Sequence, residues 1–220
     1  AYGRQRGGER NKFSEHQIFA RWFPAESVSP QRGYFCNNAN CAVRRSAWES
    51  RPYDETLTGL EGLAWAKGAQ EAGGWLAYVA EAEIVHVHDE SWAQVRNRYR
   101  REAMAMRVID DSAKFTMLDF LWLLPSNVFA DFGAAIQRKV FRREFAPILL
   151  FRYNQMLGTY LGYNGRHEVS ASLRQRFYYP TDPKDRREDD AEQERHRIDY
   201  DALKAASDGE RVVRIASDKR

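Results

Sequence analysis

Of the 40 residues from Thr181 to Arg220, 22 are charged, and Tyr200 is the only aromatic among them. Such a stretch buries little apolar surface and reads as solvated helix or disorder. Any core must therefore come from the first 180 residues. The material for one is present: hydrophobic residues make up 43% of the chain and aromatics 13%, too much for a chain disordered throughout. The formal net charge is +3; the tail carries −2, which leaves +5 on the first 180 residues. That surplus is too small for a general attraction to nucleic acid, so any pull on anions has to be local. Two cysteines do not make a disulfide-stapled scaffold, and a reducing compartment is expected. No run of 18 apolar residues occurs, so no simple spanning helix is expected.

Local patterns then divide the chain. Ser14-Glu15-His16-Gln17 has the form of a capping box, and Ile18, Phe19, Trp22 and Phe23 follow on one helical face, so a helix is expected up to Pro24. Thr58-Gly59-Leu60-Glu61 has the same form ahead of a second helix that Gly73-Gly74 stops. Trp75 to Val79 and Ile84 to His88 are rich in aromatic and β-branched residues and predict two short strands. Ser91 with Gln94 opens a third helix. Phe115 to Ile136 is apolar with an interruption expected at Pro125. The basic group Arg138, Lys139, Arg142 and Arg143 follows, and then a second apolar stretch, Pro147 to Leu150.

Four groups of residues carry chemistry. His86 and His88 are two apart, and on a strand both side chains face one way, so two imidazoles can meet one metal or anion. Cys36 and Cys41, spaced C-x4-C, could complete a four-ligand zinc site with them; buried free thiols are the simpler reading. Glu61 is acidic at a helix start, where it serves either as a cap or as a reacting acid. Arg96, Arg98, Arg100 and Arg101 form a basic cluster suited either to phosphate or to a solvated helix face.

One order of motifs is more specific. Asn40-Cys41-Ala42-Val43-Arg44-Arg45 resembles the N-x-A-x-R-R segment of family 2 glycosyltransferases, with Trp48 at the expected distance. Pro52-Tyr53-Asp54-Glu55 resembles their F-D-E step. Leu57 to Ala66 resembles L-x-G-x-E-D-x-x-W/L-A, Gly73 fits the end of that helix, and Ala82 to His88 resembles the strand that ends in His. Arg96-Asn97-Arg98-Tyr99 partly matches the arginine-aromatic motif after it. The likeness spans residues 35–101 and covers only the C-terminal half of the GT-A catalytic domain. It implies an α/β fold: the C-terminal part of a GT-A type mixed sheet flanked by helices over 1–112. A helical extension over 113–178 and a charged, disordered tail over 179–220 are expected to follow; the apolar stretches of the extension beside Arg138, Lys139, Arg142 and Arg143 suit either the inner face of a membrane or core helices with a basic solvent face.

The resemblance also implies function. The parent enzyme would transfer a sugar from a nucleotide-sugar donor to a hydroxyl acceptor, glycan or lipid-linked, in bacterial surface-glycan synthesis. It would use a divalent metal, Mg or Mn, and no nucleic acid. A cytoplasmic location is expected, with the extension's basic and apolar residues peripheral on an anionic inner-membrane surface if that reading of them holds. His86 would approach the metal, Arg98 the leaving diphosphate, and Asn40, Ala42 and Arg44 the floor of the cleft. Glu61 matches the first acid of the family's E-D pair, but the second, the general base, is Gly62 here. No nucleotide-binding half with its Asp-x-Asp motif precedes the matched segment, so the chain is expected to be a fragment or truncated product that transfers no sugar by itself. The competing expectations are a non-catalytic binding or membrane-docking module and a zinc-dependent hydrolase built on Cys36, Cys41, His86 and His88.

Overall fold

The computed structural model describes residues 1–165; the expected tail and the end of the expected extension lie outside them. All described residues belong to the first of two units, Ala1–Phe177 and Tyr178–Arg220. The order is β1 (Tyr2–Gly7), α1 (Phe13–Trp22), a 3-10 turn at Asn38–Asn40, α2 (Arg45–Ser50), α3 (Glu61–Glu71), β2 (Tyr78–His86), α4 (Trp92–Ile109), α5 (Met117–Gln137) and α6 (Phe141–Asn164). It is a mixed α/β fold, mostly helical, around a two-stranded parallel sheet.

Parallel pairing places Gly7 opposite His86, so both strands end on the same side. The register slips between Gly3 and Arg4, where β2 runs from Val79 to Glu83 opposite two consecutive residues of β1. Asn40 fills the slip: its Nδ2 donates to the carbonyls of Ala82 (2.7 Å) and Arg4 (3.2 Å). A Cβ on Gly3 would overlap both Ala82 O and the Asn40 amide, so a side chain is excluded there. The two strands expected at 75–79 and 84–88 are one strand. It runs over Tyr78–His86 and takes in the register slip, where Asn40 bonds the Ala82 carbonyl; Trp75 to Ala77 and Val87 to His88 lie outside it.

A core of Tyr2, Phe19, Phe23, Cys36, Ala66, Leu76, Tyr78 and Ala80 lies between the sheet, α1 and α3. Neither of the first two expected capping boxes forms. The cap position of α1 is Lys12, and Ser14 is instead buried within the helix. The cap of α3 is Leu60, held in the left-handed region at φ 60°. Thr58 Oγ1 donates across to Arg101 O at 2.9 Å. At α4 the expected capping box is made, by Ser91 and Gln94, and Thr116 with Asp119 makes another at α5. Pro125 does not interrupt α5. The carbonyl it leaves without a donor belongs to Leu121, which is 60% exposed and so open to water.

The long helices pack along one another across the boundary expected at 112/113. Val128, Ala135 and Ile148 form a second core between α5 and α6, and Arg152 of α6 clamps the buried Asp131 of α5 through two bonds of 2.7 and 2.8 Å. α6 meets α4 backbone to backbone at Gly158 and Gly162. A Cβ on Gly162 would lie 2.5 Å from Arg100 O and 2.6 Å from Ala103 Cβ. Two effects oppose each other in Gly162→Ala. Helix propensity favours Ala by about 1 kcal/mol, while overpacking against a backbone that cannot rotate away costs about 1–3 kcal/mol or more. Overpacking should win: we expect a net loss of about 1–2 kcal/mol in denaturant unfolding, and a gain in stability would refute the close approach.

Candidate functional site

Beyond the end of the sheet, α1, β2 and α4 deliver charged side chains to one place. Glu15 lies four residues before Phe19, on the face of α1 that packs inward, and only 3% of its side chain is exposed. His88 donates through Nδ1 to Glu15 Oε1 at 2.6 Å, Arg98 Nη2 reaches the same oxygen at 2.5 Å, and Asn11 Nδ2 donates to Oε2 at 3.1 Å. Arg98 also binds both oxygens of Glu90 through Nε, at 3.1 and 2.9 Å. The Lys12 ammonium donates to the Glu90 carbonyl and lies over the Trp92 ring. Beside this group His86 Nδ1 meets Gln5 Oε1 at 2.6 Å. The His86 and His88 rings are 4.3 Å apart between centroids, edge to face, with the Phe19 ring against both.

The electrostatics follow from this packing. Burial alone would raise the Glu15 carboxyl, but the His88 hydrogen bond and the Arg98 charge outweigh it and hold the group below the usual carboxylate range. Burial, and then the charges of His88 and Arg98, push His86 below the ordinary histidine value, which favours its neutral form. Burial pushes the Tyr99 phenol up to about 12 and raises the carboxyl of Glu102, one turn after Arg98.

The expected site residues fall into three places. His86, His88 and Arg98 come together as described. Glu61 opens α3, and Asn38 of the 3-10 turn sits where a Cβ of Gly62 would project. The loop ahead of Glu61 is tied to α4 by the Thr58–Arg101 bond, three residues beyond Arg98. Ala42 and Arg44 are elsewhere. They line a cavity of about 530 Å³ with Ala1, Trp65, Trp75 and Ala77, at the opposite ends of the strands from His86. At about 3.3 Å per residue, the six residues of β1 separate the two ends by about 15–20 Å. Asn40 spends its amide hydrogens on two backbone carbonyls, leaving Oδ1 as the atom available to a ligand.

Other groupings do not form. Cys36 and Cys41 face each other at 3.8 Å between sulfurs. Among the described residues they share no ligand group with His86 and His88, which removes the geometry of the four-ligand zinc site. Nor do Arg96, Arg98, Arg100 and Arg101 make an exposed basic face: all four are at least partly buried, and α6 covers the backbone of Arg96 and Arg100. The residues that sequence reading passed over are Gln5, Glu15 and Glu90. For Glu15 a signal existed, an acid four residues before Phe19 on an otherwise apolar face.

Could the site hold a divalent metal? Glu15, His88 and Glu90 are the one group of such ligand types brought close among the described residues. Both carboxylates, however, are already engaged by Arg98, whose guanidinium occupies the cationic position between them. The imidazoles fit better. Each is held through Nδ1, by a carboxylate or an amide oxygen, as metal-bound histidines commonly are. No hydrogen bond from the described residues reaches either Nε2. With His86 favoured neutral, its Nε2 carries a lone pair suited to a metal.

Comparisons with protein-family models, with curated proteins and with solved structures found no match.

Proposed function

We propose that this chain forms the C-terminal half of a GT-A type glycosyltransferase catalytic domain of family 2. The domain would transfer a sugar from a nucleotide-sugar donor to a hydroxyl of a glycan or lipid-linked acceptor. The observation that carries the reading is the meeting on α4 of two motifs far apart in sequence: the Thr58–Leu60 loop that leads into Glu61 and Gly62, tied to Arg101, and the His86–Arg98 group. In open α/β sheets ligands bind outside the carboxyl ends of parallel strands, and His86 stands at that end of β2. There its Nε2 would serve as a ligand for Mg or Mn, which when bound would neutralise charge on the donor diphosphate. Gln5 orients the ring, and Glu15 does the same for His88. Arg98 holds its two carboxylates, so its part is to fix this end of the sheet and not to carry an unspent positive charge to the diphosphate. Ala42 and Arg44, at the far end, belong with a distal part of the acceptor.

The test uses the gene product that carries this chain. Release of nucleoside diphosphate from a panel of sugar nucleotides is measured with and without Mn or Mg. His86→Ala is expected to reduce metal-dependent turnover by about 10²-fold or more and to raise the metal concentration needed for half-maximal rate. If no sugar nucleotide is turned over or bound, or if His86→Ala leaves the metal dependence unchanged, the reading fails.

A further inference from the structure

Along one side of α5, Leu118 is 77% exposed, Trp122 73%, Phe129 70%, and Leu121 and Ile136 60% each. At intervals of three, four and seven residues, these positions form one stripe down the helix. The adjacent stripe, with Val128, Asp131 and Ala135, is the one packed on α6. α5 therefore has two apolar faces and the fold covers one of them. α6 widens the exposed face with Leu149, Leu150 and Tyr153, which share with Phe129 the wall of an apolar cavity of about 550 Å³. At the end of the stripe the turn between α5 and α6 exposes Arg138 and Lys139, and the first turn of α6 exposes Arg142 and Arg143. No helix among the described residues is long and apolar enough to cross a membrane.

We propose that this face docks on the surface of an anionic lipid bilayer. The stripe would sink into the boundary between headgroups and acyl chains, and the basic turn would meet lipid phosphates. Charge favours this occupant over a second copy of the chain. The acids of α5 are Asp119, engaged in its own cap, and Asp131, paired with Arg152; Glu144 of α6 already binds Arg143. None is free to receive the basic turn of another copy, whereas lipid phosphates are. Trp122 and Tyr153 bring the amphipathic rings that suit the headgroup level. The inference is independent of the transferase reading, because vesicle binding needs no turnover.

The experiment is co-sedimentation of the full chain with phosphatidylcholine vesicles, with and without phosphatidylserine. Binding is expected to the serine-containing vesicles and to weaken with salt. Lys139→Gln and Arg142→Gln should each weaken it about fivefold. Trp122→Ser with Phe129→Ser should weaken it by more than tenfold. All four side chains lie at the surface, and unchanged circular dichroism would show that the variants fold. Absence of sedimentation, or equal sedimentation of parent and variants, overturns the proposal. So does a dimer in light scattering that Trp122→Ser with Phe129→Ser dissociates while no vesicle binding is seen; that result gives the stripe to a second copy.

Discussion

Gly62→Asp is expected to raise the turnover of the gene product carrying this chain by about 10²–10⁴-fold, the range general-base catalysis supplies. A sugar hydroxyl is a weak nucleophile until its proton is accepted in the transition state, and on the proposed reading the accepting carboxylate is the one this position lacks. The fold can take the change. Gly62 is buried, and the atoms nearest a Cβ there belong to the side chain of Asn38, which is exposed and able to rotate. The backbone gains: an acid in the first turn of α3 meets the positive end of the helix dipole, worth about 0.3–1 kcal/mol, and Asp is a better helix residue than Gly. These gains oppose the cost of placing a carboxylate at a buried position, so stability is measured beside turnover. The control is Glu61→Gln, expected to change turnover only a few-fold. Sugar-nucleotide consumption by both variants decides the matter. If Gly62→Asp has no effect and Glu61→Gln abolishes activity in a folded protein, Glu61 is the base and the alignment at this helix is off by one residue.

Arg98→Ala should be the most destabilising change at the site, by about 3–5 kcal/mol, because it strands two carboxylates that share one cation. Glu15 is 3% exposed and Glu90 20%, so water cannot replace the guanidinium at Glu15. Arg98→Lys should recover only part of the loss, since an ammonium cannot span both acids as the planar fork does. The pH dependence has a definite sign. Glu15 is held below its unfolded value, so its contribution to stability is complete above the ordinary carboxylate range and disappears as pH falls through its folded value. His86, also lowered, acts the same way: protonation in acid favours the unfolded chain. In Arg98→Ala the acid limb should move to higher pH, because Glu15 loses its cation. Urea unfolding across the acid range measures both effects. A loss under about 1 kcal/mol with an unmoved acid limb would show that Arg98 does not hold the group together.

The helices were legible wherever a signal and its consequence lay within one turn. Ser91 and Gln94 satisfy each other's backbone and do so in the fold. The apolar runs of 115–136 and 147–150 foretold α5 and part of α6. Ser14-x-x-Gln17 and Thr58-x-x-Glu61 have the same spelling and failed for a tertiary reason. Ser14 lies buried inside α1, whose cap position is Lys12, and Thr58 lies ahead of the Leu60 cap with its hydroxyl donating to Arg101 O on α4. Two glycines stand inside α3, where propensity alone disfavours them. In the fold, the places a Cβ would take at Gly62 and Gly68 are filled by the side chains of Asn38 and Arg51.

At the candidate site the division is the same. That His86 and His88 share a side was determined by the two-residue period of an extended chain, and they meet at 4.3 Å. That an apolar helical stripe would run through 115–136 was likewise written in the spacing. What surrounds the histidines was decided by the fold. Gln5, Glu15 and Arg98 reach them from β1, α1 and α4, and 81, 73 and 83 residues separate Gln5 from His86, Glu15 from His88 and Glu15 from Arg98. Local sequence carries no register between segments so distant, and parallel pairing is set by which crossover packs best. The same crossover sends Ala42 and Arg44 to the opposite end of the sheet from His86, although the motif order alone would have grouped them. Periodicity determines which face a residue occupies; only tertiary packing decides what that face meets.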